Sequence, residues 1–317
     1  MRIGLLAIVV ATSACAPDAP GASDASVEVV HFDDCERCHA REQAEHAGSM
    51  HAQAFDDALF QREWETGRRN PWCVGCHGPL ARDASDPAVH RGVGCASCHV
   101  VDGSIESITA SGRAPHPTIA RADFGDPTRC GRCHDFDFQH ARHGAPERLQ
   151  RTLDEWRSTH RSERCVDCHM PEGSHRLRGP RDSDLLEHAL DVSVEATRTR
   201  REIVVLATLR VRGAGHAVPT GDLNRNLVLS AWTDRVRASS GPLARLFDRD
   251  EDGDRVEIAD QRVLPNVERR IVLRLPHARG AIHWSLVWRA VSPDVVMPSS
   301  IPSSMIEAEV ASGVIER

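Results

Sequence analysis

The sequence predicts two fold classes in one chain: an α-helical and partly irregular region up to residue 192, then an all-β antiparallel sandwich. Five copies of the pattern Cys-X-X-Cys-His lie between residues 35 and 169, and none lies later. In the same part of the chain, amphipathic helical pieces such as residues 40–60 alternate with loops broken by Pro and Gly. From residue 201 onward, apolar and polar residues alternate in short β-branched runs, which favours a sandwich.

The Cys-X-X-Cys-His pattern is the attachment signature of c-type haem. Each cysteine thiol adds to one vinyl group of the porphyrin, and the adjoining imidazole becomes the proximal ligand of the iron. Zinc binding or disulfide formation also uses paired cysteines, but neither explains a histidine directly after all five pairs. The predicted attachment residues are Cys35, Cys38, Cys73, Cys76, Cys95, Cys98, Cys130, Cys133, Cys165 and Cys168, and the predicted proximal ligands are His39, His77, His99, His134 and His169.

We therefore expect a pentahaem cytochrome c domain over residues 31–192, with five covalently bound haem c groups. Aromatic residues make up only 4 % of the chain, so the porphyrins would supply much of the apolar mass that this domain buries. Five motifs within residues 35–169 leave too little chain to insulate the haems from one another. A stacked chain or cluster of haems, suited to stepwise electron hopping, is the expected arrangement.

Five segments after residue 200 have the alternation and β-branched content of strands. They are REIVVLATLRVR (201–212), NLVLSAWT (226–233), RVEIADQRVL (255–264), RRIVLRLP (269–276) and IHWSLVWRAV (282–291). Together they predict the antiparallel β-sandwich domain over residues 193–317.

The N-terminus predicts export. Residues 1–14 combine one Arg with a short apolar run, too short to span a bilayer and typical of a signal peptide. Small residues precede Cys15, as in the processing site of bacterial lipoproteins, and acylation there would account for the one cysteine outside the haem motifs. Ordinary cleavage after Ala16 is the alternative. Residues 15–30 have the composition of a flexible tether, so we expect a periplasmic, outer-membrane or cell-surface lipoprotein of a bacterium.

Charge and composition exclude nucleic acid as the main partner, since the formal net charge is −7. Redox partner proteins are the expected partners, with a homo-oligomer or a larger cytochrome complex left open. The chain has no Lys and no Tyr, so all 39 basic residues are Arg. Genome composition explains most of this bias, although arginine also pairs well with the haem propionates.

Histidines outside the motifs are candidate distal ligands, because 18 histidines less five proximal ones leave 13. His51 lies twelve residues beyond His39 on what the pattern predicts to be one helix, so it would face a different haem. Surface positions are the alternative for each of the candidates. The favoured set is His51, His116, His160, His175 and His216, the less favoured set is His46, His90, His140 and His143, and Met50 and Met170 are expected to pack in the core.

Several short motifs carry a family resemblance: SMH (49–51), GVGCASCH (92–99), QRTLDEW (150–156), CVDCHMP (165–171), SHRLRG (174–179) and GHAVPTGD (215–222). They resemble the multihaem cytochromes related to the tetrahaem electron carrier of ammonia oxidisers. The resemblance implies a β-sandwich after the haem region. It also implies that His175 and His216 act as distal ligands.

The same superfamily includes pentahaem nitrite reductase and hydroxylamine oxidoreductase, so the resemblance allows an enzyme as well as a carrier. The former typically binds its active iron through a lysine and the latter uses a cross-linked tyrosine, and this chain has neither residue. The sequence therefore predicts electron transfer between extracytoplasmic partners through bis-histidine haems. The alternatives are a reductase of a small nitrogen or sulfur oxyanion at one open iron, and a module whose β-domain binds a partner.

The acidic run DRDEDGD opens like a calcium loop, with alternate carboxylates at Asp248, Asp250, Asp252 and Asp254. Its twelfth position is Ala259, so the bidentate glutamate of an EF-hand is missing. A Ca²⁺ site and a solvated acidic turn between two strands are both compatible with this pattern.

Overall fold

A computed structural model describes residues 35–110, 114, 116–138, 147–251 and 255–316. The chain divides into two compact units. The N-terminal unit comprises Met1–Arg129 and Arg164–Leu177, and the C-terminal unit comprises Cys130–Glu163 and Arg178–Arg317.

The helices of the described residues are short. They are α1 (Ala40–Ala47), α2 (Ala58–Thr66), α3 (Val74–His77), α4 (Cys95–His99), α5 (Pro127–His134), α6 (Thr152–Thr159), α7 (Cys165–His169), α8 (Ser183–Ala189) and α9 (Ser303–Ile306), with 3₁₀ turns at Cys35–Arg37, Pro71–Cys73, Pro87–Arg91 and Pro171–Gly173. None of these helices combines the length and the apolar character that crossing a bilayer requires.

The strands of the described residues are β1 (Val100–Val101), β2 (Ser104–Ser107), β3 (Thr118–Ala120), β4 (Asp135–Phe138), β5 (Glu147–Arg151), β6 (Leu190–Arg198), β7 (Glu202–Val211), β8 (Asn226–Trp232), β9 (Arg237–Ser239), β10 (Arg245–Arg249), β11 (Arg255–Asp260), β12 (Arg269–Pro276), β13 (Ile282–Arg289) and β14 (Glu307–Ile315). Each of the five segments predicted to form strands contains one of them.

The N-terminal unit has a small apolar core and one small sheet, in the order β1-β2-β3. Four buried side chains form the core cluster, namely Phe55, Trp64, Val74 and Val89. Helix α2 buries Leu59 and Trp64, and its N-cap is Asp57, whose carboxylate accepts hydrogen bonds from backbone N–H groups of the first turn.

The prediction that His39 and His51 share one helix is wrong. Helix α1 ends at Ala47, with Gly48 as its C-cap, and turns connect it to α2. The hydroxyl of Ser49 accepts a hydrogen bond from the N–H of Ala52, which stabilises a turn where a helix would otherwise continue.

The C-terminal unit contains two larger antiparallel sheets, in the orders β12-β7-β6 and β14-β13-β8-β9. Strand β7 shows why they form, because alternate residues along it are fully buried and their neighbours are only half-buried. Residues from both sheets, such as Val205 and Leu286, belong to one apolar core. A shared core is what the predicted sandwich requires, and the face-to-face arrangement itself stays a prediction.

The compact units group the chain differently from the predicted division at residues 192 and 193. The fourth motif, Cys130–His134, belongs to the C-terminal unit, whereas the fifth motif belongs to the N-terminal unit. Strand β6 begins at Leu190, because the apolar alternation that pairs it with β7 starts before the predicted boundary. The predicted signal peptide (1–14) and tether (15–30) lie outside the described residues.

Candidate functional site

All five Cys-X-X-Cys-His motifs adopt helical turns. The third and fifth motifs coincide with α4 and α7, the fourth ends α5, and the first and second contain 3₁₀ turns, the second continuing into α3. Positions three and four residues apart lie on the same face of a helix. A helical turn therefore points both cysteines and the histidine toward one side, as attachment to one porphyrin requires.

The first and third motifs lie next to each other in the N-terminal unit. Cys35 lies beside Cys95, because a side-chain hydrogen bond from the Cys35 thiol is the main cause that lowers the pKa of the Cys95 thiol to about 6. Haems attached to these two cysteines would therefore be close neighbours.

Two predicted proximal histidines are oriented by backbone carbonyls. The Nδ1–H of His77 donates to the carbonyl oxygen of Ala54 over 2.7 Å, and the Nδ1–H of His99 donates to that of Glu106 over 2.9 Å. Metal-bound histidines usually donate their second ring N–H in this way. Both rings thus keep Nε2 for the iron.

Two predicted distal histidines lie near predicted proximal ones within the N-terminal unit. The ring centroids of His39 and His116 are 6.4 Å apart, and those of His99 and His175 are 6.2 Å apart. A metal–imidazole bond is about 2.0–2.1 Å long and the ring centre lies about 1.2 Å beyond the nitrogen, so rings on opposite faces of one ion have centroids about 6.4 Å apart. Both separations match an iron between the two rings.

His175 has a further feature that suits a metal ligand. Its Nδ1 atom is buried and has no hydrogen-bond partner. A buried nitrogen without a partner is unfavourable unless another group satisfies it. The haem iron opposite His99 would be such a group.

His51 has the protonation state that a ligand needs. Burial is the largest of the effects that lower the pKa of His51 to about 4, and repulsion from His46, His169 and His77 lowers it further. The ring is therefore neutral at physiological pH, with a lone pair available to iron. His169 and His77 are both proximal candidates, so His51 lies where it can serve a haem other than that of His39.

The segment before the third motif supports His51. The N–H of Val93 donates to the carbonyl of His51 over 2.8 Å, and the ring of His46 donates to the carbonyl of Val93 over 2.9 Å. Gly92 has φ +56°, and a Cβ there would lie 2.4 Å from the carbonyl oxygen of His51. Only glycine suits this position, which explains the glycine that opens GVGCASCH.

Buried charge lies beside the third motif. Glu106 is buried, and its carboxylate pairs with Arg129 at 2.6 Å and with Arg121 at 3.6 Å. The same residue supplies the carbonyl that orients His99. Phe124 packs on the ring of His99 with centroids 4.8 Å apart, and Arg129 lies over Phe124.

The structure locates the other predicted ligands as follows. His134 and His160 are exposed in the C-terminal unit, and His160 caps α6 with left-handed backbone angles. His216 is half-buried there, and its Nδ1–H donates to the carbonyl of Ala217 over 2.9 Å, which keeps Nε2 for iron. Of the less favoured histidines, His90 is exposed and bonded to Asp56. His140 and His143 lie outside the described residues.

Sequence reasoning missed the carboxylates that hold the predicted distal ligands. Glu45, on α1, accepts a 2.7 Å hydrogen bond from the backbone N–H of His175 and a 3.2 Å bond from the Ser174 hydroxyl. Glu155, on α6, plays the corresponding part for the residues after His216. Glu155 falls within the QRTLDEW motif, which was the available signal, whereas nothing in the sequence distinguishes Glu45.

The predicted calcium loop lies at the β10–β11 turn. Asp248 and Asp250 are described there, whereas Asp252 and Asp254 lie outside the described residues. Across the described part of the chain, no group of three or more His, Cys, Asp or Glu side chains forms a metal site. The Ca²⁺ site stays a prediction.

Taken together, the helical motifs, the oriented proximal rings and the two histidine pairs fit haem c. The fold is similar to that in the crystal structure of a penta-heme cytochrome c552 from Thermochromatium tepidum, with a TM-score of 0.74 and 18 % identity. The match covers 91 % of this chain and 99 % of that one. Comparison with curated proteins gives no match.

The five Cys-X-X-Cys-His motifs within this fold support a multihaem c-type cytochrome with haem c as its cofactor. More specifically, residues 34–100 match the family described as "Cytochrome c554 and c-prime". That segment contains the first three haem motifs. Cytochromes of this kind are typically extracytoplasmic.

Proposed function

We propose that this cytochrome carries five haems, each with histidine on both faces of its iron, and relays electrons between extracytoplasmic redox partners. The two histidine pairs of the N-terminal unit carry the proposal, because their centroid separations of 6.4 and 6.2 Å match bis-histidine ligation. Haem c supplies reversible one-electron chemistry when bound.

The ligand pairs follow from these positions. His116 would serve the haem of His39, and His175 that of His99. His51 would serve a haem whose proximal histidine is among its neighbours, and His169 and His77 are the candidates. His216 would serve the haem of His134, since both histidines belong to the C-terminal unit. In addition, the next residue after each of them, Ala217 and Asp135, is hydrogen-bonded to helix α6. His160 stays in the proposed set without a named haem.

Whether every iron has two histidine ligands decides between an electron carrier and an enzyme. An iron with imidazole on both faces has no open position for a small oxyanion, so the protein can only pass electrons. The role of the protein is then to hold the rings, exclude water and set each potential through burial and nearby charge. The ion pair of the buried Glu106 with Arg129, beside the third motif, would be one such influence.

Export and anchoring belong to the same proposal. Covalent haem attachment uses ten of the eleven cysteines, which leaves Cys15. Acylation of Cys15 would hold the protein at a periplasmic, outer-membrane or cell-surface bilayer, and residues 15–30 would let it reach its partners. The β-domain, as a sandwich, would be available for docking of a redox partner.

One set of measurements tests the proposal on protein purified from its membrane fraction. The denatured mass should exceed that of the processed chain by five haem groups and by the acyl groups on Cys15. The oxidised protein should give only low-spin ferric signals in electron paramagnetic resonance, and the reduced protein should bind no carbon monoxide. Stoichiometric carbon monoxide uptake would instead favour the reductase, and Cys15→Ala protein that stays membrane-bound would contradict the anchor.

A further inference from the structure

The loop that carries His216 is held from several sides within the C-terminal unit. The carboxylate of Glu155 accepts hydrogen bonds from the N–H of Ala217 over 3.1 Å and from the hydroxyl of Thr220 over 3.3 Å. Val218 exchanges two backbone hydrogen bonds with Val263, of 2.9 and 3.0 Å. We call residues 215–221 the His216 loop. The loop backbone is therefore held at Ala217 and at Val218, the two residues that follow His216.

Glu155 is itself locked by buried charge. Arg262, whose side chain is only 5 % exposed, donates to Glu155 over 2.6 Å and to Asp260 over 2.8 Å. The guanidinium of Arg262 also donates to the carbonyl oxygen of Pro219 over 3.2 Å. The Glu155 side chain is 10 % exposed, so its charge is compensated in a poorly solvated place where losing one partner is costly.

The helix that carries Glu155 also packs against the fourth haem motif. Leu153 is buried, and a Cβ on Gly131 would lie 2.4 Å from its side chain. The N–H of Asp154 donates to the carboxylate of Asp135, the residue after His134, over 2.8 Å. One short helix, α6, therefore contacts the segment of the proximal candidate His134 and the loop of the distal candidate His216.

We propose that Glu155 is a positioning residue that places His216 on the iron of the fourth haem. This inference rests on the proposed role of His216 as a distal ligand. Glu155 acts through the loop, since its carboxylate accepts hydrogen bonds from the Ala217 N–H and the Thr220 hydroxyl. It holds the backbone one residue beyond His216, and Arg262 prevents it from turning away. Its removal frees the loop and allows the imidazole to leave the iron, which leaves one iron open.

The experiment compares four variants of the full-length holoprotein. His216→Ala identifies the spectral signals of the haem that His216 serves. Glu155→Ala removes both loop contacts. Glu155→Gln keeps one acceptor oxygen for Ala217 but brings an amide N–H₂ toward Arg262. Glu163→Ala is the matched control, because Glu163 lies in the same segment, its side chain is 52 % exposed, and its carboxylate forms an ion pair with Arg161 over 3.4 Å.

For each variant the haem content, the electron paramagnetic resonance spectrum, the potential of each haem and the carbon monoxide uptake of the reduced protein are measured. We expect His216→Ala and Glu155→Ala to lose the same low-spin signal and to bind up to one equivalent of carbon monoxide, with haem content unchanged. Glu155→Gln should show the same change in a smaller fraction of molecules, and Glu163→Ala should match the unmodified protein.

The outcomes separate this inference from the proposed function. If His216→Ala loses a low-spin signal but both Glu155 variants keep all signals and potentials, His216 is a ligand and the role of Glu155 is disproved. If His216→Ala itself changes no haem, the ligation fails and the inference falls with it. If Glu155→Ala does not fold, Glu155→Gln decides alone, and unmodified behaviour of that variant overturns the proposal.

Discussion

The two compact units differ in the apolar core that the protein chain itself provides. Among the described residues, the core cluster of the C-terminal unit contains twenty buried side chains, and that of the N-terminal unit contains four. Long strand ladders, such as β6 with β7, further stabilise the C-terminal unit. In the part of the N-terminal unit that the structure describes, there are only short helices, 3₁₀ turns and one small sheet.

The unit with the smaller apolar core is the one that contains more haem motifs. Four of the five lie in the N-terminal unit, and only Cys130–His134 lies in the C-terminal unit. Burial of apolar surface is the main stabilising effect in folding, and four side chains supply little of it. We infer that haem is a structural part of the N-terminal unit, whereas the β-sheets are stabilised mainly by their own side chains.

Removal of one haem from the N-terminal unit should have the largest effect. The double variant Cys95→Ala and Cys98→Ala removes the apolar surface that one haem would bury. We expect the N-terminal unit to unfold as a result, since a small domain can have a free energy of unfolding of only roughly 5 kcal/mol. Limited proteolysis followed by mass spectrometry should then reveal cleavage within residues 35–129 and a protected fragment from residue 178 onward. Cys15→Ala, which removes the cysteine outside the motifs, is the control. An unchanged digestion pattern with four haems would contradict the comparison.

A cavity in the β-core should have an intermediate effect, confined to the C-terminal unit. Leu286 is completely buried, so Leu286→Ala should lower the free energy of unfolding by about 2–5 kcal/mol. The control, Val314→Ala, changes a side chain on the neighbouring strand that is 50 % exposed and should cost less than about 0.5 kcal/mol. Urea unfolding followed by far-ultraviolet circular dichroism measures both. Loss of low-spin signals from more than one haem in Leu286→Ala before unfolding would contradict an effect confined to the C-terminal unit, which carries one haem motif.

Acid should produce the smallest effect, through the ion pairs of the C-terminal unit. Burial raises the pKa of Asp260, but hydrogen bonds and charge from Arg262 outweigh burial, so the pKa lies below the ordinary 3.8. Because the folded-state pKa is the lower one, this stabilisation is complete above the unfolded-state value and is lost as the pH falls through the folded-state value. The loss therefore occurs below about pH 4.

Asp260→Asn tests this sign. The variant should be less stable at neutral pH by about 1 kcal/mol, and its stability should depend less on pH below about pH 4. Asp191→Asn serves as control, because that carboxylate is 59 % exposed and pairs only at the surface with Arg212. Unfolding free energies between about pH 3 and pH 6 provide the test. Identical pH profiles for Asp260→Asn and the unmodified protein would exclude the contribution.

The sequence by itself determined the features that depend on residues close together in the chain. Haem attachment was predictable because two thiols and an imidazole within five consecutive residues carry the whole chemistry. Strands β7, β8, β11, β12 and β13 could be predicted from the two-residue period of a half-buried sheet, which in β7 buries Ile203, Val205 and Ala207.

Only the tertiary structure decided the features that join distant residues. His39 meets His116, and His99 meets His175, across long stretches of chain whose path no local period describes. Likewise, α1 ends at Ala47, before His51, although residues 40–60 have the sequence pattern of one continuous helix. The bond from Ala217 to Glu155 joins α6 to a loop whose position depends on the packing of the whole β-core, and packing is a property of the folded chain and not of any segment of it.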